Sequence, residues 1–135
     1  MRENLKILFA EDDMFNRMFT LEFLESYGYN VVTVTNGEEA VDACKKYYFD
    51  AIIMDISMPK MTGIQASYII RNGKKLNSNC KTPIIALTSL DSVSDIKIIF
   101  EVGMNYYLRK PPDFSKLNKI LFGIYERLLG KGSSL

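Results

Sequence analysis

The amino-acid sequence predicts a doubly wound α/β domain, in which five helices cover the two faces of one parallel sheet of five strands. Three observations support this fold class. Short apolar runs of strand length alternate along the chain with longer segments of helical periodicity. Two of these runs, residues 51–54 and 83–87, are apolar at nearly every position, as in strands buried on both faces. At 135 residues and 47% apolar composition, the chain is long enough for one domain with its own core.

The first half of the chain contains three predicted strands and two predicted helices. The strands span residues 5–10, 30–35 and 51–55, and the helices span 14–27 and 38–48. Asp13 is a suitable N-cap for the first helix, and Gly28 is a suitable residue to follow its end. Pro59 and Gly63 follow the third strand, which favours a strand and a loop over a buried helix segment.

The second half continues the alternation. Strands are predicted over residues 83–88 and 106–109, and helices over 64–72, 92–102 and 114–129. The last helix carries one apolar stripe at spacings of three and four, formed by Phe114, Leu117, Leu121, Ile124 and Leu128. Residues 1–129 are therefore predicted to form the domain, and residues 130–135 a flexible C-terminal tail.

Composition and charge exclude several classes of function. The formal net charge is +1, which gives no indication of a nucleic-acid or membrane surface. No apolar run approaches the roughly 20 residues of a membrane span, and the polar start does not resemble a signal peptide. Cys44 and Cys80 lack metal-ligand spacing and are predicted to be reduced thiols, so a cytoplasmic location is expected. The absence of histidine excludes histidine triads, histidine zinc sites and a role as phosphohistidine donor.

Chemically active side chains stand at the ends of four of the five predicted strands. Strand one is followed by Asp12 and Asp13, strand three ends at Asp55, strand four ends at Thr88, and strand five is followed by Lys110. Each has an ordinary alternative, namely a helix cap, a loop aspartate, a strand-end hydroxyl or a solvated lysine. The carboxyl ends of parallel strands meet at one edge, where open α/β sheets bind ligands. Their joint placement therefore indicates a site.

Carboxylates crowded at one edge repel one another. At about 4 Å and an effective dielectric near 20, each pair costs on the order of 4 kcal/mol. Mg²⁺ favours such oxygen ligands and usually takes one or two carboxylates together with phosphate oxygens. Lys110 supplies a second cation. The combination suits an aspartate that attacks phosphorus, with Asp55 as the nucleophile and Thr88 as a hydrogen-bond donor to a phosphoryl oxygen.

At this point the chain resembles the receiver domains of two-component response regulators, over about residues 5–129. The motifs are the pair Asp12–Asp13, the run DISMPKMTG at residues 55–63, Thr88, and YLRKP at residues 107–111. Asn16–Arg17 and the run PIIALT at residues 83–88 are similar to the receivers of hybrid histidine kinases. The resemblance implies a flavodoxin-like three-layer sandwich that acts as a phosphorylation-dependent signalling switch and is not a turnover enzyme.

The resemblance also implies roles for individual residues. Asp55 would accept a phosphoryl group from the phosphohistidine of a histidine kinase or histidine phosphotransfer domain, and Lys110 would pair with that group. Mg²⁺ would be bound by Asp13, Asp55 and the backbone carbonyl of Ser57, with Asp12 reaching it partly through water.

Two further features of the family are implied. Thr88 and Tyr107 would form a switch pair, in which the hydroxyl moves toward the phosphoryl group and the ring turns inward. The peptide bond between Lys110 and Pro111 would be cis, a geometry that costs little at proline.

Two surfaces are predicted for partners. Met14 and Met18 of the first helix are predicted to contact the phosphodonor, since methionine suits adaptable contact surfaces; packing under neighbouring loops is the alternative. Ile98 and Tyr106 are candidates for an output surface formed by the fourth helix, the last strand and the last helix. Direct contact with nucleic acid or a membrane is not expected.

Three other functions are compatible with parts of the pattern. A flavodoxin-like electron carrier would need a glycine- and hydroxyl-rich phosphate loop where this chain has three acids, residues 11–13. An aspartyl phosphatase would carry a second acid two residues after its nucleophile, where this chain has Ser57. A degenerate receiver would bind partners without phosphorylation, but here every key position is filled.

Overall fold

The computed structural model describes residues 5–73, 78–89 and 93–133, with five strands and five helices in strict alternation. The strands are β1 (Lys6–Ala10), β2 (Asn30–Val34), β3 (Ala51–Asp55), β4 (Ile84–Thr88) and β5 (Tyr106–Arg109). The helices are α1 (Met14–Ser26), α2 (Gly37–Lys46), α3 (Gly63–Asn72), α4 (Val93–Glu101) and α5 (Phe114–Ser133). The predicted elements are all present; half of their ends are unchanged, and the others are shifted by one or two residues except the end of the last helix.

The five strands form one parallel sheet in the order β2-β1-β3-β4-β5. Every residue of β3 and β4 is buried, because helices cover both faces of these strands. The edge strand β2 is half exposed and carries a weaker apolar pattern. The predicted doubly wound parallel fold is confirmed.

Two hydrophobic clusters define the three layers. On one face, buried residues of α2, α3 and α4, such as Val41, Ile70 and Ile99, pack against alternate strand residues. On the other face, Leu24 of α1 and Leu121 of α5 pack against the intervening strand residues. Successive residues of each strand thus pack into opposite cores. Packing on both faces holds the sheet in place, including the edge where the strands end.

Local capping signals explain where the helices begin. Asp13 caps α1, Asn36 caps α2, and Thr62 forms a reciprocal capping box with Gln65 at the start of α3. In α5 the helix continues to Ser133, four residues beyond its predicted end at 129. Residues 134 and 135 of the predicted tail lie outside the described part of the chain, and the division at 129 stays a prediction.

At the amino edge of the sheet, the side chain of Arg71 joins three segments. It donates hydrogen bonds to the carbonyl oxygens of Gly103 and Cys80 and to Oδ1 of Asn105, at 2.8, 3.2 and 2.7 Å. The same Oδ1 accepts the backbone N–H of Ile84 at 2.8 Å. Arg71 therefore braces the edge opposite the one that carries the candidate site. Within the described residues, no helix has both the length and the apolar composition needed to cross a bilayer.

Candidate functional site

The candidate site lies at the carboxyl edge of the sheet, where the ends of β1, β3, β4 and β5 meet. Asp55 is the last residue of β3 and is 1% exposed. Lys110 follows β5, and its Nζ lies 2.8 Å from Oδ2 of Asp55 and 3.2 Å from Oε1 of Glu11. The parallel topology therefore brings residues more than 50 positions apart into direct contact, as the sequence pattern predicted.

Both oxygens of Asp55 have partners. Oδ1 accepts the backbone N–H of Ser57 at 3.0 Å, and Oδ2 accepts from the Lys110 ammonium. The loop after β3 folds back closely, since a Cβ added at Gly63 would lie 2.1 Å from the carbonyl oxygen of Asp55. The carboxylate is thereby held in one orientation at the mouth of the site.

Three carboxylates come together at this edge. Glu11, Asp12 and Asp55 each offer an oxygen, and these oxygens lie within 4.8 Å of one another. Glu11 and Asp55 are buried, whereas Asp12 is exposed. When ionised, three carboxylates beside one ammonium leave a net negative charge. The set therefore fits a hard divalent cation such as Mg²⁺, with Asp12 on the open side.

In the structure, the third carboxylate beside Asp12 and Asp55 is that of Glu11. Asp13 does not join the three carboxylates; its Oδ2 accepts the backbone N–H of Asn16 at 2.8 Å and caps α1. Glu11, which sequence reasoning did not assign to the site, takes the place beside Asp12. The signal was present in the sequence, because a side chain that caps the next helix cannot also turn back toward Asp55.

Burial and charge shift the titration of two groups. Burial raises the pKa of Glu11 from its ordinary 4.5 to about 7, the N–H of Asp13 lowers it, and the charge of Asp55 raises it further. Burial alone would lower the pKa of Lys110, but its bonds and charge interactions with Asp55 and Glu11 raise it overall. Lys110 therefore remains a cation across the physiological range.

The predicted switch residues flank this cluster. Thr88 ends β4 and is fully buried, and its carbonyl oxygen accepts the backbone N–H of Lys110 at 2.9 Å. Tyr107 is 36% exposed, with its ring edge-on to Phe100 at 6.2 Å between centroids. The ring thus lies outside the core in this structure. The peptide bond between Lys110 and Pro111 is cis, as expected.

The predicted docking residues differ in exposure. Met14 and Met18 are 53% and 60% exposed, so they do not pack under neighbouring loops. Ile98 is also exposed. Tyr106 is half buried: it packs against the α1–α5 core, and its hydroxyl accepts a hydrogen bond from Arg127 at 2.7 Å. Among the described residues of α4 and β5, the exposed large apolar side chains therefore include Ile98, Phe100 and Tyr107, whereas Tyr106 is half buried.

Comparison with known proteins agrees with this geometry. Transcription factor SKN7 of Saccharomyces cerevisiae is 34% identical over 121 residues, which are 90% of this chain and 19% of that protein. The receiver domain of sensor histidine kinase PA1611 from Pseudomonas aeruginosa PAO1, with magnesium in its active site cleft, is 35% identical. It has a TM-score of 0.78, with 87% of this chain and 93% of that chain covered.

A third similar structure contains a partner. It is the complex of the histidine phosphotransfer protein Ypd1 with the receiver domain of its downstream response regulator Ssk1, from S. cerevisiae. The similarity is 31% identity at a TM-score of 0.78, covering 87% of this chain and 86% of that chain. The chain spans 10–19% of the length of the first curated relatives it matches, which include a hybrid histidine kinase.

The family model named response regulator receiver domain matches residues 7–122, which contain the whole acidic cluster, the basic residue and the switch positions. This chain belongs to the response regulator receiver domain family of two-component and phosphorelay signalling.

Proposed function

We propose that this domain accepts a phosphoryl group on Asp55, from the phosphohistidine of a histidine kinase or histidine phosphotransfer domain, and thereby changes its partner-binding face. One observation carries the proposal. Lys110 Nζ lies 2.8 Å from the buried Asp55 carboxylate, and Glu11, Asp12 and Asp55 together offer oxygens for a divalent cation, so an ammonium and a metal ion would both be close to Asp55. Positive charge on two sides is what a transferring phosphoryl group requires.

Glu11, Asp12 and Asp55 would hold Mg²⁺, together with the backbone carbonyl of Ser57 that the family resemblance implies. Glu11 replaces Asp13 in this set, because the Asp13 carboxylate caps α1. Bound Mg²⁺ would neutralise developing charge on the phosphoryl oxygens. Mg²⁺ bound in the similar PA1611 receiver supports this assignment.

The residues of the chain have separate roles in the transfer. A carboxylate oxygen of Asp55 forms a bond to phosphorus while the bond from phosphorus to the donor's histidine nitrogen breaks, and the electron pair returns to the imidazole. The Ser57 N–H and the Lys110 ammonium hold Asp55 in orientation before attack. The domain would assist its own phosphorylation and dephosphorylation without turning over an external substrate.

Phosphorylation would be transmitted through Thr88 and Tyr107. A phosphoryl group on Asp55 would accept a hydrogen bond from the Thr88 hydroxyl, and the resulting shift would open space for the Tyr107 ring to turn inward. The exposed position of that ring beside Phe100 corresponds to the unphosphorylated state in this scheme. The rotation would remake the surface around Ile98, which biases partner binding between two states.

The phosphodonor would dock on α1. Met14 and Met18 are exposed there beside Phe15 and Phe19, which are 77% and 69% exposed. Such a contiguous apolar patch at the rim of the site is typical of a contact surface. The Ypd1–Ssk1 complex supports a histidine phosphotransfer protein as one class of partner. The free thiols of Cys44 and Cys80 are compatible with a cytoplasmic location.

The test of phosphorylation is intact-mass measurement after incubation with acetyl phosphate and Mg²⁺. The parent should gain one phosphoryl group, and Asp55→Asn should gain none. Glu11→Gln should slow labelling far more than Asp13→Asn does, which tests the revised ligand set. A parent that folds and binds Mg²⁺ but remains unlabelled would instead indicate a degenerate receiver. Family membership leaves the electron-carrier and phosphatase alternatives without support.

The test of docking separates two donors. Met18→Glu should slow transfer from a phosphorylated histidine protein already shown to label the parent, because it places a charge in an apolar contact. Labelling by acetyl phosphate should stay unchanged. Tyr68→Glu is the matched control, since Tyr68 is equally exposed but lies on α3, across the sheet. Equal slowing with both donors, or an equal effect of the control, would contradict docking on α1.

A further inference from the structure

The loop between β1 and α1 carries three acidic residues in succession, and their side chains face two ways. The carboxylates of Glu11 and Asp12 meet Asp55, whereas that of Asp13 caps α1. An irregular loop does not have the regular side-chain alternation of a strand. The directions of these side chains therefore depend on what holds the peptide groups of the loop.

Arg17 forms hydrogen bonds to the peptide groups of this loop. It lies one turn into α1, and its guanidinium folds back on the loop that precedes its own helix. Nη1 donates to the carbonyl oxygen of Glu11 at 2.9 Å and to that of Asp12 at 3.3 Å. Because the guanidinium is planar and rigid, these two bonds fix the orientation of two adjacent peptide groups.

Both bonds go to carbonyl oxygens, so they leave the carboxylates of the same residues available to a cation. Lys60 is a second cation whose charge acts on a carboxylate that Arg17 also influences, that of Glu39. The pKa of Glu39 is lowered mainly by hydrogen bonds from Thr35 and further by the charges of Lys60 and Arg17. Both cations thus act on the Glu39 carboxylate, but the hydrogen bonds to the carbonyl oxygens of Glu11 and Asp12 come from Arg17.

We propose that Arg17 is a positioning residue for divalent-cation binding, which fixes the peptide groups of Glu11 and Asp12 so that their carboxylates converge on Asp55. The inference rests on the proposed function, since it takes this cluster to be the Mg²⁺ site. Charge and geometry predict opposite effects here. As a nearby cation, Arg17 would weaken Mg²⁺ binding by repulsion, whereas as a tether it strengthens binding.

The test is calorimetric titration of the unphosphorylated domain with Mg²⁺. Arg17→Met should bind Mg²⁺ about tenfold more weakly, the effect typical of losing a residue that orients a metal ligand. Arg17→Lys, which retains the charge and a donor but on a more flexible side chain, should bind with an affinity between those of the parent and Arg17→Met. Lys60→Met, the matched control for loss of a neighbouring charge, should bind at least as tightly as the parent.

A second readout separates positioning from general damage. At saturating Mg²⁺, labelling of Arg17→Met by acetyl phosphate should recover to within about twofold of the parent, because only cation binding is impaired. Mg²⁺ binding by Arg17→Met as tight as the parent's, or tighter, would overturn the inference. If Arg17→Met does not fold, Arg17→Lys is the deciding variant, and a Mg²⁺ affinity equal to that of the parent would overturn the inference. A parent that fails to bind Mg²⁺ would overturn the proposed function itself.

Discussion

The raised pKa of Glu11 predicts an unusual dependence of stability on pH in the absence of metal. The pKa rises from 4.5 to about 7 on folding, mainly because the carboxyl group is buried. Between these values the folded protein binds more protons than the unfolded chain does. The stabilising contribution is therefore fully present below pH 4.5 and is lost as pH rises through 7. At about 1.4 kcal/mol per pH unit, the free energy of unfolding should fall by up to about 3 kcal/mol.

The other groups whose pKa is shifted titrate outside this window. The chain has no histidine, and the pKa of Cys44 is raised by burial to about 12. The pKa of Lys110 is raised as well, so this group titrates above the window, and that of Glu39 is lowered, so it titrates below. The part of the slope between pH 5 and 8 that Glu11→Gln removes can therefore be assigned to Glu11.

The assay is urea unfolding followed by circular dichroism, at pH 5 to 8 with EDTA. The parent should lose stability across this range, and Glu11→Gln, which cannot ionise, should give a nearly flat profile. Saturating Mg²⁺ should abolish the loss, because the cation favours the ionised carboxylate and binds only the folded state. A flat profile for the parent, or an equal slope for Glu11→Gln, would refute the reasoning.

Three further predictions concern stability. Gly63→Ala should lower the free energy of unfolding by about 3 kcal/mol, because its Cβ would meet the Asp55 carbonyl. Gly123→Ala on α5, whose Cβ would make only an ordinary contact with Nη1 of Arg127 at 4.0 Å, should raise it by about 0.5–1 kcal/mol by urea unfolding. Arg71→Met should lower the free energy of unfolding by about 3 kcal/mol in the same measurement, because three hydrogen bonds are lost. Labelling of this variant by acetyl phosphate should be unchanged. Lys110→Met should lower the unfolding free energy at pH 8 by on the order of 3 kcal/mol, with Mg²⁺ restoring part of it.

Each of these has a contrary result. Equal effects at Gly63 and Gly123 would mean that close packing against Asp55 is unimportant. Slower labelling of Arg71→Met would show that the two edges of the sheet are coupled. An unchanged stability of Lys110→Met would mean that the ion pair with Asp55 only balances its desolvation.

Much of this protein could be predicted from local signals in the sequence. Runs such as residues 51–54 specify buried strands because no face carries a polar residue. Alternation of strands and helices then requires a parallel sheet, and a parallel sheet gathers its strand ends at one edge. Asp55 and Lys110 could be placed at the same edge on this reasoning alone, and the structure shows them in contact at 2.8 Å.

The remaining choices depend on contacts that no local pattern contains. The N-cap position of Asp13 was a local signal, but the turn of the Glu11 carboxylate toward Asp55 is seen only in the folded loop. Tyr106 is half buried and the adjacent Tyr107 is exposed. Adjacent strand residues face opposite sides of the sheet, and the packing of the helices determines which side is covered.

By itself, then, the sequence determined the strands, the helices and the strand-end residues, since hydrophobic periodicity and the glycines and prolines that end each element are local features of the chain. Tertiary structure decided the strand order, the face that each helix covers and how the carboxylates of Glu11 and Asp12 converge on Asp55. These outcomes depend on the packing of distant segments, whose energies are shared among residues far apart in the chain.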